Sequence, residues 1–171
     1  MSNLWTVVAI LVCGLGMALL YGLMDFSARS PRKIPMENGE FHMPDMRFRY
    51  TADELYATFT LAGDNRPRMK RYWLLDFGFI LCFLGAMLLI ALNVVGFASP
   101  LFLLMAIAAI ARALLDAAEN LCFLRLYRLY PARSDALARA VSFITSTKFV
   151  FLFLWVAMLF YRLFTRAFGI A

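Results

Sequence analysis

The sequence predicts an all-α fold: a polytopic membrane protein built as a four-transmembrane-helix bundle, with a short amphipathic cytoplasmic helix. Three observations predict it. Of 171 residues, 63% are hydrophobic, above the roughly 45–50% of soluble domains. Four apolar stretches are each long enough to cross about 30 Å of hydrocarbon at 1.5 Å per residue. The basic residues behind the net charge of +6 sit beside those stretches, where they anchor helix ends against anionic head groups. That placement speaks against nucleic acid as a partner. No run of alternating ten-residue strands supports a barrel. Spans and one loop use nearly all of 1–171, so the chain reads as a single membrane domain.

The first span is Leu4–Met24. Its leading MSNLWT lacks the Lys or Arg of a secretory n-region, so a retained span is favoured over a cleaved signal. Gly14, Ala18 and Gly22 form a small-xxx-small ridge suited to close helix contact. The loop Asp25–Arg71 follows and holds nine Lys and Arg. Pro31–Pro44 contains three prolines, Asn38 and Gly39, and reads as irregular. In Met46–Tyr50, MRFRY, basic and aromatic residues alternate, which suits the head-group layer. Thr51 followed three residues later by Glu54 is a capping-box pattern. Leu55, Tyr56, Phe59 and Ala62 then fall at helical spacing up to Gly63, which predicts an amphipathic helix over Ala52–Ala62. Asn65 and Pro67 suit the start of a helix that runs into the second span.

That second span is Tyr72–Val95, with Asp76 one turn in. The short GFASP link makes spans two and three an antiparallel hairpin, and Asn93 near its outer end is within reach of water or an exposed carbonyl. The third span, Pro100–Leu124, carries an alanine ridge, Ala106, Ala109, Ala113 and Ala117. The connection Tyr127–Ala140 is basic, with Arg128, Arg133 and Arg139. The fourth span is Val141–Phe164. Its Phe149, Phe151, Phe153 and Phe160 read as lipid-facing or packing residues. Positive charge in both long connections and none in GFASP or the amino-terminal segment puts the basic loops in the cytoplasm and both termini outside, in a cell (inner) membrane.

Cys13, Cys82 and Cys122 lie in apolar runs without a CxxC pair and read as small buried hydrophobes. His42 is the single histidine. No metal site and no cofactor is implied, and no phosphate loop, GxSxG, HExxH or dinucleotide fingerprint is present. No catalytic residue is assigned.

The run RALLDAAEN is where chemistry concentrates. Arg112, Asp116, Glu119 and Asn120 fall at i, i+4, i+7 and i+8, on one helical face. Each ionised group near a bilayer centre is disfavoured by about 2.5–3.5 kcal/mol on insertion scales, so this face belongs against protein or a wet cavity. Asp76, and Thr145 with Lys148, lie at a similar depth on the other two spans. Three readings stay open for these seven candidate ligand-binding residues. They form a buried ion-pair network that sets helix register, in a scaffold or accessory subunit with a membrane protein partner. Or Lys148 and Arg112 hold an anionic lipid or amphiphile head group, while the crowded carboxyls orient it or move protons. Or they belong to a small transporter or ion pathway in a homo-oligomer, against which stands the apolar stretch Pro100–Ala111.

YTADELYATFTLAGDNRPRMKRYWLLDF, RALLDAAEN and the SFITSTK that opens the last helix together resemble a group of small four-span bacterial integral membrane proteins of unknown function, over most of the chain from Tyr50 onward. The resemblance implies that Asp76, Asp116, Glu119, Asn120 and Lys148 belong together. It implies no activity. The four-span glutathione and eicosanoid enzymes are not matched, because their Arg-rich and Asn/Glu pattern is missing.

Overall fold

The computed structural model describes residues 4–36 and 41–170, and every regular element among them is helical. Helix α1 is Leu4–Tyr21, continued by a π-helical turn Gly22–Phe26. Then come α2, Ala52–Ala62; α3, Arg66–Val95; α4, Pro100–Leu129; and α5, Asp135–Ala167. Four of these (α1 with its π turn, α3, α4 and α5) are long and apolar enough to cross a membrane. Asn38 and Gly39 lie outside the described residues. The rest of the loop is less irregular than its prolines suggest, with 3₁₀ turns at Pro31–Lys33 and Pro44–Met46.

The sequence places α2 correctly because its signals are local. Thr51 Oγ1 accepts the Glu54 N–H at 3.2 Å, and Glu54 Oε2 accepts the Thr51 N–H at 2.6 Å. Gly63 ends the helix at φ +48°, a conformation in which a side chain would be strained. Eleven residues make a marginal helix in water. Burial of Leu55, Tyr56, Phe59 and Ala62 against the bundle holds this one.

Helix ends elsewhere differ from the expected spans. Tyr127–Ala140 is mostly helical: α4 runs to Leu129, α5 starts at Asp135, and only residues 130–134 break the two. Hydropathy marks where an apolar stretch stops, whereas Leu126, Ala136, Leu137, Ala138 and Ala140 are helix formers that carry the backbone further. The break falls at Pro131, whose peptide bond with Tyr130 is cis. Ser134 donates its N–H to the Tyr56 hydroxyl at 2.6 Å, which ties the break to α2.

Helix α4 packs between α3 and α5, and α1 packs on α3. The α1–α3 contact does not use Gly14, Ala18 and Gly22. A Cβ at Gly14 or Gly22 would meet nothing within 4 Å, and Ala18 is exposed. The neighbouring face is used instead. A Cβ on Gly16 would lie 2.7 Å from Cys82 Sγ, one on Gly85 3.0 Å from Cys13 Sγ, and one on Gly78 3.1 Å from Leu20. Small residues on the partner, Gly78, Cys82 and Gly85, select which of two possible stripes makes contact.

Two apolar clusters divide the bundle along its length. At the end that carries the basic loops, here the basic end, Ile34, Phe41, Met43 and Tyr50 of the loop join α2 and the helix residues Trp73, Phe123 and Leu126. Trp73 stacks on Phe123 with centroids 5.0 Å apart. At the opposite end, Met87, Ala91, Met105, Ala108, Ala109 and Trp155 pack together.

Candidate functional site

Between these clusters lies a layer of charge. Its placement follows from spacing: Arg112, Asp116, Glu119 and Asn120 share the buried face of α4, Asp76 projects from α3, and Thr145 and Lys148 lie three residues apart on α5. All seven candidate residues come together, and none is more than 9% exposed.

The contacts form one connected network. Lys148 Nζ donates to Asp116 Oδ1 at 2.8 Å and also to Glu119 Oε2. Arg112 Nη2 lies 2.5 Å from Asp116 Oδ2, realising the i, i+4 pair within α4. Its guanidinium also sits 4.3 Å from the centre of the Phe83 ring, a cation–π contact that closes the deep side of the network. Asn120 Nδ2 donates to Asp76 Oδ2 at 2.7 Å. Thr145 Oγ1 donates to Glu119 Oε1. Both cations are thus engaged by carboxylates, Arg112 through Nη2 while its Nη1 is buried without a hydrogen-bond partner, and the three carboxyls outnumber the two cations.

Three participants are not evident from the sequence pattern: Asp45, Tyr50 and Ser142. The segment that holds the first two folds over the network at the basic end. The Tyr50 N–H donates to Ser142 Oγ at 3.1 Å, and its hydroxyl lies 3.2 Å from Thr145 Oγ1. Thr145 has one proton and already faces Glu119 and the Val141 carbonyl, so Tyr50 is the donor of this bond. Burial pushes the Tyr50 phenol up, against the Thr145 hydrogen bond, so it stays protonated. Asp45 is buried as well. Burial pushes it up to about 7, with Lys148 opposing and Asp76 and Asp116 adding to the rise. The available signals were weak: an acid between apolar neighbours in MPDM, and Ser142 three residues before Thr145. MRFRY, expected at the head-group layer, is split. Arg47, Phe48 and Arg49 are exposed, and Tyr50 is core.

A second feature adjoins this site. A groove of about 760 Å³ runs between residues 48–53 and the first turns of α5. Asp53 and Asp135 on its rim are both taken by Arg133, at 2.5 and 3.1 Å. Arg49 and Arg139 line the groove without a carboxylate partner among the described residues. Phe48 and Phe143 are 56% and 72% exposed beside them.

No family model, no curated protein and no solved structure matches this chain, so no family is identified. Among the described residues, no group of three or more His, Cys, Asp and Glu side chains has the arrangement of a metal site.

Proposed function

We propose that this chain is an integral membrane protein that binds the head group of an anionic lipid or amphiphile at the cytoplasmic leaflet. Its four long helices would span an inner membrane with the basic end inside and both termini outside. The resemblance to small four-span bacterial proteins belongs to the same proposal and adds no activity to it. The observation that carries the reading is the pair of guanidiniums, Arg49 and Arg139, which among the described residues have no carboxylate partner in a groove at the basic end. Planar guanidiniums match phosphate geometry. Ser142 and Ser146 line the same wall, where their hydroxyls fix the segment by accepting the Tyr50 N–H and donating to the Phe48 carbonyl. Phe48, Phe149 and Phe153 continue from the groove along α5, with successive ring centroids 6.2 and 6.5 Å apart, as a track for an acyl chain. The head-group role expected of Lys148 and Arg112 therefore passes to Arg49 and Arg139, because the first two are already paired.

Native mass spectrometry from nanodiscs of phosphatidylcholine and phosphatidylglycerol tests this. An adduct with the mass of the anionic lipid should be retained by the wild type and reduced about tenfold, or about 1.4 kcal/mol, in Arg49→Ala/Arg139→Ala. Arg125→Ala, another exposed cation near this end, should retain it. Equal retention in all three, or equal loss in both variants, would sink the proposal.

A second reading, a scaffold whose buried charges lock helix register, is favoured by the closure of the network against solvent. A through-pathway is less well supported, because the Met87–Trp155 cluster fills the opposite half with apolar side chains.

A further inference from the structure

Residues 41–50 cover the ionic network at its basic end. Phe41 and Met43 anchor one side of the segment in the core with Tyr72, and Tyr50 anchors the other through Ser142 and Thr145. Between the anchors Asp45 is 5% exposed, and its Oδ1 has no hydrogen-bond partner. The charged groups that act on it come from three helices: Asp76 of α3, Asp116 and Glu119 of α4, and Lys148 of α5. The phenols of Tyr50 and Tyr72 are nearby. The helices alone bring three carboxyls against two cations, Arg112 and Lys148. Seating the segment adds a fourth carboxyl to a site where carboxyls already outnumber cations, with one oxygen unsatisfied. A buried charge without a partner is the arrangement that a folded protein avoids most strongly.

We propose that Asp45 binds a proton when segment 41–50 seats over the ionic network, so that seating is proton-linked. The proton comes from water at the basic end and converts the Asp45 carboxylate to the neutral acid, which removes one negative charge from a site where carboxyls outnumber cations. Lifting the segment returns Asp45 to water and releases the proton. It also opens Lys148, Asp116 and Glu119 to the same side. The inference goes beyond the lipid groove and does not depend on it.

The direction of the pH effect follows from linkage. Seated, Asp45 is raised to about 7; lifted, it has an ordinary carboxylate value of about 4. The seated form is therefore fully favoured below about 4, is progressively lost up to about 7, and changes little above that. Hydrogen exchange of the full chain in uncharged detergent, with labelling times matched to the intrinsic rate at each pH, reads this. Exchange in 41–50 should rise about tenfold per pH unit from 5 to 7 and then level. In Asp45→Asn it should stay at its low-pH value throughout. Asp45→Ser, equally uncharged, is read in the same way if the asparagine variant does not fold. Tyr50→Phe, which lacks the hydroxyl anchor, should exchange faster than wild type at pH 5. A flat wild-type profile, the same rise in an uncharged variant, or unchanged exchange in Tyr50→Phe overturns the proposal.

Discussion

The two halves of the bundle are held by different physics. At the opposite end from the basic loops, Met87, Ala91, Met105, Ala108, Ala109 and Trp155 fill space between α3, α4 and α5 with side chains that lipid could equally well surround. In a bilayer such contacts rest on packing alone, because the hydrophobic effect does not distinguish a neighbouring helix from an acyl chain. Toward the basic end, Asp76, Arg112, Asp116, Glu119, Asn120, Thr145 and Lys148 require particular partners in particular places. Only this protein can supply them. The apolar half demands volume, and the polar half demands identity.

That contrast can be broken by substitution. Lys148→Met keeps the length of the side chain but leaves Asp116 and Glu119 without their shared cation. The expected loss is about 3–5 kcal/mol, the range for breaking a buried ion pair, seen as a lower thermal midpoint in detergent. Replacing Lys148, Asp116, Glu119 and Arg112 together with apolar residues should cost less than Lys148→Met alone. If the single variant is as stable as wild type, the network is not structural.

Gly16→Ala probes the close contact of α1 with α3. Its Cβ would meet Cys82 Sγ at 2.7 Å, and overpacking of this kind costs about 1–3 kcal/mol. Cys82→Ala should recover most of that loss, and failure to do so would place the strain elsewhere. The smallest effect is expected in the apolar half. Met105→Leu, fully buried there but conserving volume, should cost under about 1.5 kcal/mol. A loss as large as that of Lys148→Met would erase the distinction between the halves.

Some of this was written in the sequence. Composition and four apolar stretches determine an all-helical architecture with four helices long enough to cross a membrane, since helix length scales directly with residue number. The Thr51–Glu54 box and Gly63 determine α2, because capping is decided within a few residues. The spacing of Arg112, Asp116, Glu119 and Asn120 puts them on one face, and their cost in apolar surroundings predicts that the face is buried. Matched depth brings Asp76, Thr145 and Lys148 to the same layer.

Only the tertiary structure decided the rest. The choice of Gly16 over Gly14 as the α1 contact depends on small residues of α3 some 65 positions away. The tie between the α4–α5 break and α2 depends on the Ser134 N–H meeting the Tyr56 hydroxyl, 78 positions away in the chain. The joining of Asp45 and Tyr50 to the network depends on how a proline-containing loop folds back, for which the local sequence carries no period. Which cations remain free depends on pairing geometry: Lys148 and Arg112 are engaged by Asp116 and Glu119, and Arg133 takes the groove's Asp53 and Asp135, so that among the described residues the groove's Arg49 and Arg139 have no carboxylate partner. A sequence sets which charges are present. Distances in three dimensions set which of them are spare, because electrostatic pairing falls off with separation in space rather than along the chain.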